Sequence, residues 1–276
     1  MFSLNCKGKL LFINKPLVMG VLNITADSFY AGSRFQNGKD IKHIAGQMIE
    51  DGANILDIGA QSTRPGSTRI SAEAELEKLL PIIEALKKSL PESTISIDTY
   101  HAIVAKECVA AGADIINDIS GGEMDIDMIT TVAKLGVPYI CMHMKGVPET
   151  MQQQSSYENL TREILDFFIA KIEECKRAGI KDIILDPGFG FGKNIAQNFH
   201  LLKNLELFKM LDKPIMAGLS RKSTIYKTLK NSPEESLNGT TVLNTIALLK
   251  GVSILRVHDV KEAKESVLLI DAYANA

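Results

Sequence analysis

The sequence predicts an α/β barrel of eight strand–helix units behind an N-terminal β-hairpin, and three observations carry that expectation. Short runs of aliphatic residues recur eight times along the chain. Each is followed by a Gly-, Asp- or Ser-rich turn and then a stretch with helical spacing. The runs are near-continuously apolar instead of alternating, as parallel strands covered on both faces must be.

In chain order, Phe2–Leu4 and Lys9–Ile13 flank Cys6-Lys7-Gly8 and form the hairpin, placed to plug the bottom of the barrel. The eight strands are expected at Val18–Asn23, Asn54–Ile58, Thr94–Asp98, Asp114–Asn117, Pro138–Met142, Ile183–Asp186, Pro214–Gly218 and Ser253–Val257. Helices are expected between and after them, including Lys39–Asp51, Ala72–Leu90, Glu158–Arg177, Glu234–Lys250 and Val260–Tyr273. Gly52 and Gly179 punctuate two of their ends, because glycine accepts the left-handed conformation that closes a helix. Strands alternating with helices at this count favour a closed barrel over an open sheet. A chain of 276 residues suits one such domain, 1–276, with no linker or low-complexity segment.

Composition excludes several classes. Thirty-one basic against thirty-three acidic residues leave a net charge of −2, without the basic excess of a nucleic-acid binder. Cys6, Cys108, Cys141 and Cys175 are widely spaced, which argues against a disulfide framework or a structural zinc site and suits a reducing cytoplasm. No run reaches the length of a membrane span, and the N-terminus lacks the apolar region of a signal peptide, so a cytoplasmic location is expected.

Polar residues sit at the C-terminal ends of nearly all the strands: Asn23, Asp57, Asp98, Asn117-Asp118, His143, Asp186, Ser220-Arg221-Lys222 and Arg256-Val257-His258. Barrel active sites are assembled at that rim from several strands at once. The loops after the last two strands commonly hold a phosphate, so Lys222, Arg256 and His258 suggest a phosphorylated small-molecule substrate. Arg256 and His258 are two residues apart and face one side if both keep strand geometry. Asp98, Asn117 and Asp186 suit a ligand edge with adjacent N–H donors, such as a 2-amino-4-oxo pyrimidine ring. The segment Asp186-Pro-Gly-Phe-Gly-Phe-Gly-Lys193 lets backbone approach a ligand closely, with Phe189 and Phe191 as apolar walls. Asp57 and Asp118 read better as structural support, and His143 stays open because Met142 beside it is an alternative ring contact. His43, His101 and His200 fall in helical stretches and are expected at the solvated surface.

Met19-Gly-Val-Leu-Asn-Ile-Thr-Ala-Asp-Ser-Phe29, Asp57-Ile-Gly-Ala-Gln-Ser-Thr-Arg-Pro-Gly66, Ser96-Ile-Asp-Thr-Tyr100, Ile116-Asn-Asp-Ile-Ser-Gly-Gly122, Met142-His-Met-Lys-Gly146, Leu185-Asp-Pro-Gly-Phe-Gly-Phe-Gly-Lys193, Gly218-Leu-Ser-Arg-Lys-Ser223 and Arg256-Val-His-Asp259 follow one another along the chain. Together they resemble the dihydropteroate synthases, pterin-binding barrels of the (β/α)8 TIM type, over nearly the whole length. The resemblance implies condensation of 6-hydroxymethyl-7,8-dihydropterin diphosphate with 4-aminobenzoate, release of pyrophosphate, a role in folate synthesis and sulfonamides as inhibitors.

By matching motif, the resemblance assigns Asp98, Asn117, Asp186, Lys222, Met142, Gly218 and Phe191 to the pterin. It assigns Asn23, Arg256 and His258 to the diphosphate, with Asn23 also contacting Mg²⁺, and makes Lys222, Arg256, His258 and Asn23 the catalytic group. Thr63, Arg64, Pro65, Phe29, Phe189 and Ser223 would surround the aminobenzoate. A homodimer is usual in such a family, and the two late helices could supply its interface.

The sequence departs from the family pattern in the first two loops. Ala26 stands for a proline, Ala31 for an aspartate, Ser33 for a glycine, Ala60 for a glycine and Gln61 for a glutamate. Loss of the proline adds about 0.4–1 kcal/mol of unfolded-loop entropy, and loss of the acid removes a group expected to close over the site. Altered turnover is the expectation. Two alternatives are a pterin-binding methyltransferase barrel, against which Thr63-Arg64-Pro65 and Ser220-Arg221-Lys222-Ser223 argue, and a catalytically silent pterin-binding paralogue, motivated by Ala31.

Overall fold

The computed structural model describes residues 1–24, 38–61, 69–146 and 156–276, with backbone alone at 38–40. Strands β1 (Phe2–Cys6) and β2 (Lys9–Ile13) pair antiparallel, Cys6 opposite Lys9. Their two-residue turn has Lys7 at φ 54° and Gly8 at φ 93°, the doubly left-handed pair whose twist matches a hairpin.

The barrel follows as β3 (Leu17–Asn23), α1 (Gly38–Glu50), β4 (Ile55–Gly59), α2 (Ala72–Ser89), β5 (Thr94–Asp98), α3 (Ala102–Ala110), β6 (Ile115–Asp118), α4 (Met128–Leu135), β7 (Tyr139–Met142) and α5 (Leu160–Ala178). It continues with β8 (Ile183–Asp186), α6 (Ile195–Lys203), a 3-10 helix (Leu205–Leu211), β9 (Met216–Ala217), α7 (Ser223–Leu229), α8 (Leu237–Leu249), β10 (Ile254–Val257) and α9 (Val260–Ala274). All eight barrel strands run parallel, in the order β8-β7-β6-β5-β4-β3-β10-β9. A parallel bridge between Leu185 and Ile215 joins the two ends of that order and closes the ring. The expected strands are matched to within two residues at each end, and β9 is the shortest.

Helix ends follow local chemistry. Ser71 caps α2 by accepting from the Ala74 N–H, with exposed Glu73 in the first turn and Lys87 and Lys88 in the last, each complementing the helix dipole. Asn194 and Gln197 form a capping box on α6. Gly179 closes α5 at φ 101°.

Two apolar layers result from strand alternation. Outward residues such as Val18, Leu56, Ile58, Ile95, Ile97, Ile116, Leu185 and Leu255 meet the helices in the main core. Inward residues Met19, Ile55, Ile115, Ile140, Ile184, Met216 and Ile254 fill the lower barrel, and Leu4, Cys6 and Ile13 of the hairpin pack among them. The hairpin is thus a stopper, as the sequence suggests. Two residues further along each strand, the same inward face carries the polar groups of the rim.

Candidate active site

Alternation dictates who meets whom. Asp57 follows Ile55 by two, Asn117 follows Ile115, Met142 follows Ile140, Asp186 follows Ile184, Gly218 follows Met216 and Arg256 follows Ile254, so all point to the barrel axis above the apolar floor. Asp98 is level with Asn117 in the β5–β6 register, and Met142 with Asp186 in the β7–β8 register. Gly59 leaves room at this level, since a Cβ there would stand 3.2 Å from the Asp98 Cβ.

Three carboxylates and an arginine define the centre. Arg256 donates from Nε to Asp57 Oδ2 and from Nη2 to Asp98 Oδ2, each at 2.6 Å. Asn117 Nδ2 also donates to Asp57 Oδ2, at 3.1 Å. Asp57 is fully buried, and among the described residues its Oδ1 has no hydrogen-bond partner. Burial pushes Asp98 above the usual carboxylate range, opposed by Arg256 and reinforced by Asp57, Asp118 and Asp186. Arg256 is held firmly protonated by Asp57 and Asp98 despite its own burial. Asp186 is likewise raised by burial, against the pull of Lys222, and its Oδ1 accepts the Gly188 N–H at 2.8 Å.

Lys222 lies beside this group. Its ammonium group donates to the Phe189 carbonyl and stands 4.5 Å from the centroid of the Phe191 ring, a cation–π contact. Burial lowers it from 10.5 to about 8, with Asp186 acting in the opposite sense. Phe191, Met142, Met144, Tyr100 and Ile119 form a separate apolar cluster at this level, a ready wall for a flat ring. Ser223 opens α7 directly after Lys222 and is half-buried.

His258, past the end of β10, is exposed along one side. Its Nδ1 lies 3.0 Å from Ser220 Oγ, and the same hydroxyl accepts its backbone N–H at 3.2 Å. Crowding by protein, then Arg256 and Arg221, lower it to about 4, so the ring is neutral near pH 7 until an anion arrives. Arg221, at φ 55°, pairs with Asp259 through Nε at 3.0 Å and also through Nη2. Asn23 ends β3 level with Gly59 and is exposed.

Several expectations shift. Arg256, expected with His258 at an anion, donates to two carboxylates at the barrel axis. Phe189 is 1% exposed and belongs to the main core, so its ring offers no wall to an aminobenzoate while its carbonyl faces Lys222. His101 is half-buried against Tyr100, ring centroids 4.5 Å apart, and not a solvated surface residue. Asp57 is more than support, because it orients Arg256 and Asn117. Asp118 is support: it accepts from Ser120, Gly122 and Tyr139 below the rim. His143 is structural too, its Nδ1 3.2 Å from the Lys193 ammonium group. Lys193, to which the sequence assigns no role beyond ending the Asp186–Lys193 segment, is buried. Phe29, Thr63, Arg64, Pro65, Ala26, Ala31 and Ser33 lie outside the described residues. Gln61 accepts the Ile70 N–H at 2.8 Å and the Tyr100 hydroxyl at 3.4 Å.

Fold and site define an α/β barrel with carboxylates, an arginine and a lysine gathered at its C-terminal rim. The pterin binding enzyme family matches residues 19–258. The chain is 40% identical to the dihydropteroate synthase of Escherichia coli K12 over 276 residues, covering 99% of this chain and 97% of that one. Among solved structures, the Yersinia pestis dihydropteroate synthase with a sulfonamide drug complex superposes with a TM-score of 0.94 at 39% identity, covering all of both chains. The Xanthomonas albilineans dihydropteroate synthase with 4-aminobenzoic acid gives 0.91 at 35% identity, covering 99% of this chain and 98% of that one. The chain therefore belongs to the pterin binding enzyme family and, within it, to the dihydropteroate synthases.

Proposed function

We propose that this barrel joins 6-hydroxymethyl-7,8-dihydropterin diphosphate to 4-aminobenzoate, forming 7,8-dihydropteroate and pyrophosphate for folate synthesis. The observation that carries the reading is the axial set Asp98, Asn117 and Asp186 beside Met142 and Phe191, with cationic groups on the same rim. Asp186 and Asn117 suit the donor edge of the pterin, Phe191 and Met142 its faces, and Lys222 its carbonyl and ring nitrogens, with Gly218 leaving space beside Arg256. Asp57, Asp98 and Asp186 bring three carboxylates against Arg256 and Lys222, an acidic excess that favours positive charge on a bound ring.

The reaction is a dissociative substitution. The C–O bond to the diphosphate breaks first, the electron pair leaves with pyrophosphate, and the pterin-stabilised cation is captured by the aromatic amine, which then loses a proton. Arg256 and His258 neutralise charge on the leaving group. That role requires Arg256 to give up part of its carboxylate pairing, which pterin binding at Asp98 supplies. Thr63, Arg64, Pro65, Phe29 and Ser223 are proposed to surround the aminobenzoate, with Phe189 acting through its backbone. None of the four cysteines is needed as a nucleophile.

Mg²⁺ fits this chemistry as a substrate-borne ion. Among the described residues no group of three or more His, Cys, Asp or Glu could hold a metal, but Mg²⁺ often takes one hard oxygen from protein and the rest from phosphate and water. The amide oxygen of exposed Asn23 suits that single contact. When bound, the ion would neutralise charge on the departing diphosphate.

Among the described residues no helix is long and apolar enough to cross a membrane, and four reduced, buried cysteines suit a cytoplasmic location. A homodimer through α8 and α9 is supported by Val242, Leu249, Leu268, Leu269 and Tyr273, all exposed on those helices. A coupled pyrophosphate assay tests the reaction: release should require both substrates and rise with Mg²⁺. Pterin binding with no release on adding 4-aminobenzoate would mark a silent binder instead.

A further inference from the structure

We propose that Lys193 is a positioning residue for ring recognition: its ammonium group pins the loop between Asp186 and Lys193 against the end of β7, and so fixes the Asp186 carboxylate toward the barrel axis. Its side chain is buried, and Nζ lies 2.9 Å from the Gly188 carbonyl, 3.0 Å from the Phe191 carbonyl, 3.4 Å from the His143 carbonyl and 3.2 Å from His143 Nδ1. An ammonium group has three protons to give, and these four acceptors consume them all inside the protein, so Lys193 is not a substrate contact.

The loop it holds is the one that orients Asp186. Gly188 donates its N–H to Asp186 Oδ1 at 2.8 Å while its carbonyl faces Lys193. Gly188 has φ 70°, and a Cβ there would stand 2.0 Å from the His143 carbonyl, so the loop is pressed onto β7 with no room for a side chain. From the other side Asn198 of α6 accepts the Gly190 N–H at 2.7 Å and donates to the Lys193 carbonyl at 3.0 Å. Phe191, whose carbonyl Lys193 also holds, is one of the two aromatic members of the rim cluster, with Tyr100.

Burying an ammonium group is costly, and an apolar side chain of equal length would fill the space without that penalty. Burial indeed lowers Lys193 from 10.5 to about 7, offset by Asp186. His143 is pushed down to about 2, chiefly by burial and then by Lys193, so it stays neutral with Nδ1 as acceptor and its proton on Nε2. Without the ammonium group, the carbonyls of Gly188, Phe191 and His143 would converge on one another with nothing between them. The loop would relax outward, taking the Gly188 N–H from Asp186 and the Phe191 ring from the pocket.

This inference rests on the assignment of Asp186 to the pterin, so its test carries an Asp186→Asn arm. In the full chain, Lys193→Met keeps length and bulk but removes the donors, and Lys193→Gln keeps two of them. Lys193→Met should raise KM for the pterin diphosphate about tenfold or more, with kcat changed far less and KM for 4-aminobenzoate at saturating pterin held within about twofold. Lys193→Gln should recover part of the loss, which a purely structural role would not produce in one substrate's KM. A folded Lys193→Met enzyme with parental pterin KM, beside a weakened Asp186→Asn enzyme, overturns the proposal alone. An Asp186→Asn enzyme with parental pterin KM overturns the reading of Asp186 and the proposal with it. Failure of both Lys193 variants to fold would make it a folding residue and also overturn the proposal.

Discussion

Arg256 and Asp57, 199 residues apart in the chain, are joined by a 2.6 Å hydrogen bond from Nε to Oδ2 at the centre of the barrel. Asp57 is wholly buried and also receives Asn117, so a single carboxylate oxygen orients two groups that face the substrate. Asp57→Ala would leave both without that partner, and breaking a buried pair from one side costs about 3–5 kcal/mol. The retained Asp98 contact puts the expected loss at the lower end, measured by urea unfolding of the variant beside the parent.

Arg256→Ala removes the opposite member. Pyrophosphate release should fall by about 100-fold or more if the guanidinium stabilises the leaving group. Asp57 and Asp98 would then share the axis without their cation, and Asp98, already raised by burial, would rise further. A raised folded-state value means the folded protein holds a proton that the unfolded chain releases, so the variant should lose stability as pH rises from about 4 toward neutrality. Unfolding midpoints at acid and neutral pH that moved in parallel with the parent would argue against this coupling.

Glu75, in the first turn of α2, is 1% exposed, and among the described residues Thr99 comes near enough to favour its charged form. Burial raises it from 4.5 to about 8. Its neutral form therefore supports the fold fully below about 4.5, and that support erodes until it is gone above about 8. Glu75→Gln should remove this slope and stabilise the protein at pH 8, by an amount on the order of a few kcal/mol. Denaturant titrations across that pH range provide the check.

Ser220→Ala should act on the leaving group through His258. The hydroxyl holds both Nδ1 and the backbone N–H of that residue, so its loss frees the ring. Removal of one such bond corresponds to roughly a three- to tenfold rise in KM for the pterin diphosphate. KM for 4-aminobenzoate is the internal control.

All four cysteines are free and buried, and burial raises the thiols of Cys6, Cys108 and Cys175 to about 12 and that of Cys141 well above its usual range. Thiolates are the reactive form. Alkylating reagent should leave the native protein untouched and modify four positions in urea, as mass spectrometry would count.

The sequence carried the barrel because strand period and apolar continuity are local signals, and the same period put Asp98, Asn117 and Asp186 on the inner face. Asp118, one residue on from Asn117, turns outward to Tyr139 instead. Asp57 with Arg256 was out of reach, since nothing local links residues at opposite ends of a chain. Phe189 and Phe191 were both expected as apolar walls, and residues two apart share a side in a strand. That rule holds only for extended backbone, and left-handed Gly188 and Gly190 break it, sending one ring to the core and the other to the rim. Lys193 was hidden by a sound generalisation, that lysines are exposed, which fails where backbone carbonyls converge.

The hairpin beneath the barrel turns a tube into a cup. With Leu4, Cys6 and Ile13 wedged among the lowest inward side chains, the described residues fill the bottom of the barrel. Whatever settles at the depth of Asp98 and Asp186 must leave past anything seated nearer the rim. On the proposed site, the deeper guest would have to arrive before the shallower one, which would make the order of traffic a property of the floor.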